Sequence, residues 1–520
     1  MRNLNSLMFI LLLFVFVGCE EEDSDNDGVV DANDLCLNTP LNEKVDANGC
    51  STNQLEDDDN DGIPNWAECE KENIETSKTE VVFRLPREDV NRLQALVSDD
   101  DKLTFEFGEM LAKYYKFEHP TISYEDFIKA INAIEFCACG DLSPVLVSFD
   151  ATFDIETKLD NLKKDTSADG VEGDINFNFT LLPNETPNIA SNFELTPSPS
   201  ELKGIKESFY KSSPNVIAIL DTGVDLLGQY STDGTTAGAT EFIYKSSAAA
   251  NDCISAYDGT GWNFVNNTYN FYDDHTGIGH GTLVTKTLTN ELEQLGVTDY
   301  SILPLKVFND QGKGSYWKIN CAMAYLTEIQ ETTKSQNNSG DIKIINASFG
   351  GSFGGLEADE LGVMKSFIDG FEDSAIFVAS AGNCGYDTDA ASNHFPSGYT
   401  SDNLVSVGGY ALDENNEIQK DVFSNYGLTS IDLAAPFTLT QLEVYLLSNN
   451  GTKTLAGTQV NGTSFSTPLV SAKLFEILIN EPNLIPKDAI QKLYSDGNTV
   501  PEGNLSPYFK EARIYKALQK

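Results

Sequence analysis

Three polar side chains in the C-terminal part of the sequence are of the types that nucleophilic catalysis needs. Asp221 follows an apolar run and begins Asp-Thr-Gly, His280 lies in Gly-His-Gly-Thr, and Ser464 lies in Gly-Thr-Ser-Phe-Ser-Thr-Pro. A hydroxyl becomes a competent nucleophile when an imidazole takes its proton and a carboxylate orients that imidazole. The three residues therefore predict a catalytic triad if the fold brings them together.

Each of these residues also has a simpler explanation. Asp-Thr-Gly marks aspartic proteases, but those need two copies and this sequence has one. An isolated histidine is more often packed or solvated than catalytic, and a serine before a helix is usually a cap. Here Ser466 or Thr467 can supply the cap, which leaves Ser464 without an obvious structural role. The combination, more than any single residue, indicates catalysis.

The apolar runs around the three residues predict the elements that position them. After residue 213, short buried-strand runs alternate with helical segments, at 216–220, 302–307, 342–345, 375–378 and 405–407. Such alternation predicts an α/β fold with a largely parallel sheet covered on both faces. Ligands bind these sheets at the carboxyl ends of the strands, which is where Asp221 lies.

In the order Asp, His, Ser, the three motifs resemble those of the subtilisin-like (S8) serine peptidases. Four further segments agree with this resemblance, and two of them have implied roles at the site. Asn-Ala-Ser-Phe-Gly at 346–350 is similar to the strand that aligns substrate in the family, and Ala-Ser-Ala-Gly-Asn at 379–383 is similar to the segment that carries the oxyanion asparagine. The resemblance covers a predicted peptidase domain at 214–520 and implies a three-layer subtilisin-like architecture.

The resemblance also implies a role for each matched residue. Ser464 would attack the scissile carbonyl, His280 would take the proton and return it to the leaving amine, and Asp221 would support the imidazole. Asn383 would donate its amide to the oxyanion. The implied activity is that of a serine endopeptidase that acts on proteins or peptides through an acyl-enzyme, with no cofactor for catalysis. The strand that would align the substrate comprises Ser348, Phe349 and Gly350.

The N-terminus has the features of an exported protein. An apolar run of twelve residues from Leu7 to Gly18 precedes Cys19; as a helix it would span about 18 Å, too short for a hydrocarbon core of about 30 Å. Phe-Val-Gly-Cys at its end resembles the lipobox of bacterial lipoproteins, whose cysteine is acylated; a plain signal peptide is the alternative. We expect a signal peptide at 1–18 and a lipid anchor on Cys19, at the bacterial outer membrane or cell surface.

The charge of the chain is strongly negative and unevenly distributed. Lys and Arg total 34 against 80 Asp and Glu, a net charge of −46, which disfavours nucleic acid as a partner because phosphates would be repelled. Residues 20–80 contain 20 of these carboxylates and three lysines. Such density is unsuited to a hydrophobic core and predicts a separate acidic segment at 19–80.

Two copies of Asp-x-Asp-x-Asp-Gly in the acidic segment are each followed by a carboxylate at loop position 12. This pattern matches the ligands and the tight turn of a calcium loop. The flanks show no helical period, so an EF-hand is not expected; the segment instead resembles a thrombospondin type 3 repeat, which implies an irregular stalk with structural Ca²⁺ and a disulfide between Cys36 and Cys50. A solvated acidic linker is the alternative. The expected ligands are Asp23, Asp25, Asp27, Asp34, Asp57, Asp59, Asp61 and Glu68.

Residues 81–185 predict a small α+β domain before the peptidase-like part. Strands are expected at 81–85, 144–149 and 175–182, and helices at 124–134 and 155–164. Secreted proteases commonly carry an inhibitory prodomain at this position, and an accessory domain is equally compatible. Residues 186–213 are rich in Pro and Ser and predict a linker, where cleavage would free the peptidase domain from its anchor.

Two questions stay open at the level of sequence. The leading hypothesis is a lipid-anchored endopeptidase on a calcium-dependent stalk, and the alternative is a non-catalytic, calcium-dependent adhesion or binding protein on a protease-like scaffold. Nine cysteines in an oxidising compartment permit disulfides. Their pairing is mostly unspecified, and Cys384 beside Asn383 is either a free thiol or bridged to Cys253 or Cys321.

Overall fold

A computed structural model describes residues 44–45, 51, 76–117, 123–137, 144–152, 162–164, 175–183, 210–211, 213, 215–224, 243–244, 261–268, 270–273, 279–336, 341–353, 362–389, 393–413, 416–447 and 453–518. The chain divides into two compact units, Met1–Cys69 and Glu70–Lys520. In the first unit, Val45 and Ser51 form an isolated antiparallel bridge. All the elements described below belong to the second unit.

The N-terminal part of the second unit is a small α+β arrangement. Val81 and Phe83 on its first strand join its own core, whereas Val82 between them joins the core of the larger part. This alternation is the period of two that a strand with both faces buried requires. The elements are β1 (Thr76–Arg84), α1 (Arg87–Gln94), α2 (Asp100–Tyr114), β2 (Tyr115–Phe117), α3 (Tyr124–Lys129), β3 (Ile131–Phe136), β4 (Pro144–Phe149), β5 (Leu162–Lys164) and β6 (Ile175–Pro183).

The strands expected in this part are present, but the expected helices are only partly correct. β1 pairs antiparallel with both β4 and β6, and β3 pairs with β4. The helix expected at 124–134 ends at Lys129, and the following residues form β3 because pairing with β4 outweighs the local helical pattern. The helix expected at 155–164 lies mostly outside the described residues, and its last three residues form β5.

The larger part alternates strands and helices along the chain. Its elements are β7 (Tyr210–Lys211), β8 (Asn215–Asp221), β9 (Ile243–Tyr244), β10 (Trp262–Asn263), α4 (His280–Gln294), β11 (Ser301–Lys306), β12 (Gly314–Ser315), α5 (Tyr316–Gln336), β13 (Asp341–Ala347), β14 (Phe349–Phe353), α6 (Gly362–Asp369), β15 (Ile376–Ser380), β16 (Asn393–Phe395), β17 (Leu404–Leu412), β18 (Ile418–Lys420), β19 (Leu433–Pro436), β20 (Thr438–Leu447), β21 (Lys453–Asn461), α7 (Thr463–Asn480), α8 (Pro486–Tyr494), β22 (Thr499–Pro501) and β23 (Arg513–Tyr515).

A central sheet organises these elements into three layers. Its strand order is β22-β23-β19-β17-β15-β13-β8-β11-β9-β7, and the neighbours from β23 to β7 pair in parallel. Residues of α5 and α6 share a core with one face of the sheet, and residues of α4, α7 and α8 share a core with the other. The expected α/β fold with a largely parallel sheet is therefore confirmed.

Two features outside the central sheet bear on the site. β20 and β21 form a separate antiparallel hairpin that leads directly into α7. β14 leaves the central sheet and joins the sheet of the small α+β part through β6. Within the described ranges, no helix is both long enough and apolar enough to cross a membrane.

Candidate active site

Asp221 and His280 meet at the carboxyl end of β8. Asp221 is the last residue of β8, His280 is the first of α4, and His280 Nδ1 lies 2.8 Å from Asp221 Oδ1. An ionised carboxylate only accepts hydrogen bonds, so we assign the imidazole proton to Nδ1, which leaves Nε2 as the basic nitrogen. The Thr222 backbone N–H donates to the same carboxylate oxygen at 2.7 Å. Both side chains are buried.

Small residues let the two segments approach this closely. A Cβ on Gly281 would overlap the carbonyl oxygen of Gly223 and lie 3.0 Å from the Asp221 Cβ, so a larger residue has no space there. The Gly281 N–H donates to Thr222 Oγ1 at 2.8 Å and ties the start of α4 to the loop after β8. The glycine that follows His280 is therefore part of the geometry that joins the imidazole to the carboxylate.

A buried carboxylate supports the start of α4. Asp273 Oδ2 accepts from both the N–H and the hydroxyl of Thr282, each at 2.8 Å, which satisfies a backbone donor in the first turn of the helix. Burial raises the pKa of the Asp273 carboxyl, although the positive charge of Lys306 and the bonds from Thr282 oppose that rise. Asp273 thus fixes the helix that carries His280.

Lys306 is a buried lysine that the sequence analysis did not single out. It ends β11, directly opposite Asp221 in the parallel register, and only 1% of its surface is exposed. Its ammonium group donates to the backbone carbonyls of Thr222 and, at 2.9 Å, Phe308. The sequence did contain a signal, which is a lysine at the end of a predominantly apolar strand. Such a lysine is expected to be buried, and a buried charge must be hydrogen-bonded. Lys306 holds the loop that follows Asp221.

Ser464 lies in the first turn of α7, next to the other two residues. It is fully buried, and its neighbour Phe465 packs against the His280 ring with 5.6 Å between ring centroids. The Ser464 hydroxyl donates to the Ser348 carbonyl at 3.1 Å, and the Ser348 hydroxyl donates to the Ser464 carbonyl at 2.8 Å. The fold therefore gathers Asp221, His280, Ser464 and Ser348 at one end of the sheet.

Asn383 is also held at this position, through Thr463. Its Oδ1 accepts from the Thr463 N–H and from the Thr463 hydroxyl, both at 2.9 Å. The backbone N–H can only donate, so the amide orientation is fixed with Nδ2 on the opposite side. The Thr463 hydroxyl in turn accepts from the Gly382 N–H at 3.1 Å. The amide that could donate to an oxyanion is thus tied to the residue before Ser464.

The segment expected to align substrate already pairs with another strand. Phe349 and Gly350 in β14 lie opposite Pro183 and Leu182 of β6 in antiparallel register. The other edge of β6 pairs with β12, where Leu181 lies opposite Gly314. The end of the small α+β part therefore occupies the position between β12 and β14 as a strand, adjacent to the Ser348 and Ser464 pair.

A second histidine lies close to the site. His394, in β16, is buried, and its Nδ1 lies 2.8 Å from the Ser397 hydroxyl oxygen. Burial lowers its pKa to about 3, so the ring is neutral at physiological pH.

Cys384, directly after Asn383, is disulfide-bonded, which excludes the free thiol. Its partner is not Cys321, because Cys321 is bonded to Cys137.

The remaining sequence-based sites lie outside the described residues. They comprise Cys19, the Cys36 and Cys50 pair, and the expected calcium ligands Asp23, Asp25, Asp27, Asp34, Asp57, Asp59, Asp61 and Glu68. In the part of the chain that the structure describes, no group of three or more His, Cys, Asp or Glu side chains is arranged to hold a metal ion.

Comparison with known proteins gives one family match and one short match. Residues 213–502 match the model of the subtilase family of peptidases. A stretch of 35 residues is 59% identical to an alpha-agarase from Alteromonas agarilytica. That stretch covers 7% of this chain and only 2% of the agarase, so it bears on a short segment alone.

Three solved structures are similar to this chain at low sequence identity. A cold-adapted subtilisin-like serine proteinase is 19% identical, with a TM-score of 0.40, over 65% of this chain and 96% of the other. A structure of the subtilase cytotoxin SubAB is 17% identical, with a TM-score of 0.40, over 60% and 90% of the two chains. The A subunit of the AB5 toxin from E. coli is 17% identical, with a TM-score of 0.39, over 60% and 93%.

Proposed function

Because this chain belongs to the subtilase family and has its mostly parallel α/β fold, we propose that it is a serine endopeptidase in which Asp221, His280 and Ser464 form the triad. The observation that carries the proposal is the 2.8 Å contact between the buried Asp221 carboxylate and His280 Nδ1, next to the first turn of α7, which carries Ser464. The family supports peptidase chemistry on proteins or peptides. The role of each residue is the one that the resemblance of its motif implies, and the contact between Asp221 and His280 agrees with it.

In the proposed reaction, the Ser464 hydroxyl attacks the scissile carbonyl while His280 Nε2 takes its proton. Asp221 keeps the proton on Nδ1 and stabilises the imidazolium that forms. His280 then protonates the leaving amine, and water, activated by the same imidazole, hydrolyses the acyl-enzyme. No cofactor takes part in these steps.

The tetrahedral oxyanion would be stabilised by two donors. Asn383 Nδ2 is one, because its Oδ1 is held by Thr463, and the Ser464 backbone N–H at the start of α7 is the other. The macrodipole at a helix N-terminus favours negative charge at this position. In subtilisin, loss of the asparagine donor costs about 10²- to 10³-fold in kcat.

Residues 81–185 are proposed to be an inhibitory prodomain. β6 pairs with β14 and β12 at the strand that would align substrate, and Ser464 has no exposed surface. An extended segment in that position excludes a substrate strand from the same edge. The bond to be cleaved during maturation is expected within a few residues after Pro183, at the start of the proposed linker.

The proposal also includes a lipid anchor and a calcium-binding stalk at the N-terminus. Acylation of Cys19 would hold the protein at the bacterial outer membrane or cell surface, and calcium in the segment 19–80 would stiffen the stalk. Detergent fractionation before and after Cys19→Ala tests the anchor, and proteolysis of residues 20–75 with and without a chelator tests the calcium. Fractionation that is unchanged by Cys19→Ala would contradict the lipid anchor. A proteolysis rate that is unchanged by the chelator would contradict the role of calcium in the stalk.

Covalent labelling with a fluorophosphonate probe tests the central proposal. The mature wild-type protein should be labelled, and Ser464→Ala should not. A correctly folded wild-type protein that stays unlabelled after removal of residues 81–185 would instead favour a non-catalytic binding protein on a peptidase scaffold.

A further inference from the structure

A narrow gap opens between two strands of the central sheet next to Ser464. β13 and β15 are parallel neighbours up to Ala347 and Ala379. Beyond this pair, the backbone after β13 continues into β14, which lies outside the central sheet. The backbone after β15 continues to the segment that carries Asn383. Gly350 and Gly382 therefore lie on opposite sides of the gap, and both lack a side chain that could fill it.

The imidazole of His394 occupies this gap. Its Nε2 would lie 2.8 Å from a Cβ on Gly350 and 2.7 Å from a Cβ on Gly382, so the ring lies directly against both glycines. The Ser397 hydroxyl holds Nδ1, and only 3% of the residue is exposed. Among the described residues, none forms a hydrogen bond with Nε2.

The register of β6 indicates which substrate residue would face the gap. Leu182 lies opposite Gly350 and Pro183 opposite Phe349, so the next residue of an extended peptide would pass Ser348, whose carbonyl accepts from Ser464. The residue opposite Ser348 is therefore the one whose carbonyl the nucleophile would attack. The side chain of this substrate residue would lie next to the gap between Gly350 and Gly382.

We propose that His394 makes this specificity pocket shallow, so that the peptidase selects short, uncharged side chains at the residue before the cleaved bond. This inference rests on the proposed function and adds the substrate class. The two glycines would leave room for a long side chain, but the imidazole fills that room. The sequence agrees with this preference, because the residue after Pro183, which would lie opposite Ser348 in a continued register, is the uncharged Asn184.

A peptide library tests the inference on the mature protein, with Ser464→Ala as the blank. Peptides with Ala, Ser or Asn before the cleaved bond should exceed those with Phe, Leu or Lys at least about tenfold in kcat/KM. His394→Gly should shift the preference at least tenfold toward Phe and Leu, and His394→Asn should shift it less. A neutral histidine also predicts that the wild-type ratio is constant from pH 6 to pH 9.

The outcomes separate this inference from the proposed function. Absence of both cleavage and fluorophosphonate labelling would count against the peptidase itself. Cleavage by the wild-type protein with a preference for long side chains would overturn the role of His394 alone, even if neither His394 variant folds. Cleavage with the expected preference, unchanged in a folded His394→Gly, would also overturn it.

A separate observation concerns the fate of the N-terminal part after maturation. Cys137, just after β3, is joined to Cys321 in α5 by a disulfide across 184 residues of sequence. The two parts also make an ion pair and a cation–π contact: Arg87 pairs with Glu328 at 2.5 Å, and the Arg84 guanidinium lies 4.0 Å from the centroid of the Phe367 ring.

The proposed cleavage lies between the two cysteines, so cutting the backbone does not separate the pieces. We propose that the mature protein is a two-chain molecule in which this disulfide keeps the peptidase covalently attached to its prodomain and hence to the membrane anchor. Release would need a dithiol reductant: its thiolate attacks one sulfur, its second thiol resolves the mixed disulfide, and the reductant becomes a disulfide as both cysteines become thiols.

A site-specific cleavage tests this without relying on the protein's own activity. A protease recognition sequence is inserted after Ser200 of the Ser464→Ala protein, which is then cut to completion. The fragments should migrate together on a denaturing gel without reductant and separate with it, and peptide mapping should recover one linked pair that contains Cys137 and Cys321. Fragments that separate without reductant, or a map without that pair, would overturn the inference.

Discussion

Ser464 and Ser348 are joined by reciprocal hydrogen bonds, each hydroxyl donating to the other's backbone carbonyl, at 3.1 and 2.8 Å. The strand proposed to align substrate is thus tied directly to the proposed nucleophile. Two further buried hydrogen bonds support this contact: Asn346 Nδ2 donates to the Ser348 hydroxyl, and the Ser471 hydroxyl donates to Asn346 Oδ1. This network links the end of β13 and Ser348, the residue before β14, to α7.

The first prediction concerns the nucleophile. Ser464→Ala should lower kcat by about 10⁴- to 10⁶-fold, because a residue that acts as part of a triad cannot be replaced by its partners. Ser466→Ala is the matched control, since Ser466 is equally buried but its hydroxyl donates to the Pro436 carbonyl at 2.9 Å. Equal losses in the two variants, measured with a fluorogenic peptide, would contradict the assignment.

The second prediction separates the two ends of the Asn383 amide. Asn383→Asp keeps an acceptor for Thr463 but removes the donor to the oxyanion, so kcat should fall at least about 10²-fold with KM little changed. Thr463→Val removes the hydroxyl bond to Asn383 and keeps the donor, so its loss should be smaller. A larger effect of Thr463→Val than of Asn383→Asp on kcat would rule out the donor role.

The third prediction concerns β6, the strand that lies between β12 and β14. Antiparallel residue pairs alternate between hydrogen-bonded and non-hydrogen-bonded pairs. Because Pro183 lacks an N–H, we expect Leu182 and Gly350 to be the hydrogen-bonded pair between β6 and β14. Leu182→Pro removes that donor and should shorten the lag before the freshly purified protein becomes active, whereas Thr180→Ala keeps its N–H and should not. An unchanged lag in Leu182→Pro would indicate that β6 does not limit activation.

The fourth prediction concerns pH and stability. Burial raises the pKa of Asp421 to about 6, so the folded state holds a proton there more tightly than the unfolded state, and stability falls as pH rises from about 4 to 6. Asp421→Asn should therefore be more stable than the wild type at pH 8, by about 1–3 kcal/mol, and equally stable below pH 4. Urea unfolding at both pH values measures this difference.

Asp389 provides a control of the opposite sign. Hydrogen bonds from Thr429 and Ser430 lower the pKa of its carboxyl against the opposing effect of burial, so its contribution to stability is present at neutral pH and is lost as pH falls. Asp389→Asn should be less stable than the wild type at pH 8, and the difference should disappear in acid. If both variants move in the same direction at pH 8, the electrostatic explanation is wrong.

The alternation of apolar runs with helical segments was sufficient to predict the largely parallel sheet, and the motifs identified Asp221, His280 and Ser464, which the structure gathers at one end of it. Local sequence carries this information, because an apolar strand followed by Asp-Thr-Gly places a carboxylate at a strand tip wherever the rest of the chain lies. The contact between Asp221 and His280 also requires Gly281, because a larger residue has no space there. The sequence shows this glycine in the motif, but only the structure shows that it packs against Gly223 and Asp221.

Other parts of the site depend on long-range packing and left no local signal. His394 is a histidine in a short strand, and only the convergence of Gly350 and Gly382 gives it a role. The Cys137 and Cys321 bond joins residues 184 positions apart, and no spacing rule connects them. The strand β3 was expected to continue a helix, because its partner β4 lies beyond the window in which helical periodicity is judged.

The same disulfide changes meaning when the backbone is cut. In the intact chain it closes a covalent ring that limits the freedom of the unfolded polypeptide, an entropic contribution of about 5 kcal/mol for a ring longer than 100 residues. After a cut inside the ring, the bond is a tether between two polypeptides, and that contribution is gone. If the tether is also reduced, unfolding separates the two chains, and recovery of the native assembly depends on protein concentration.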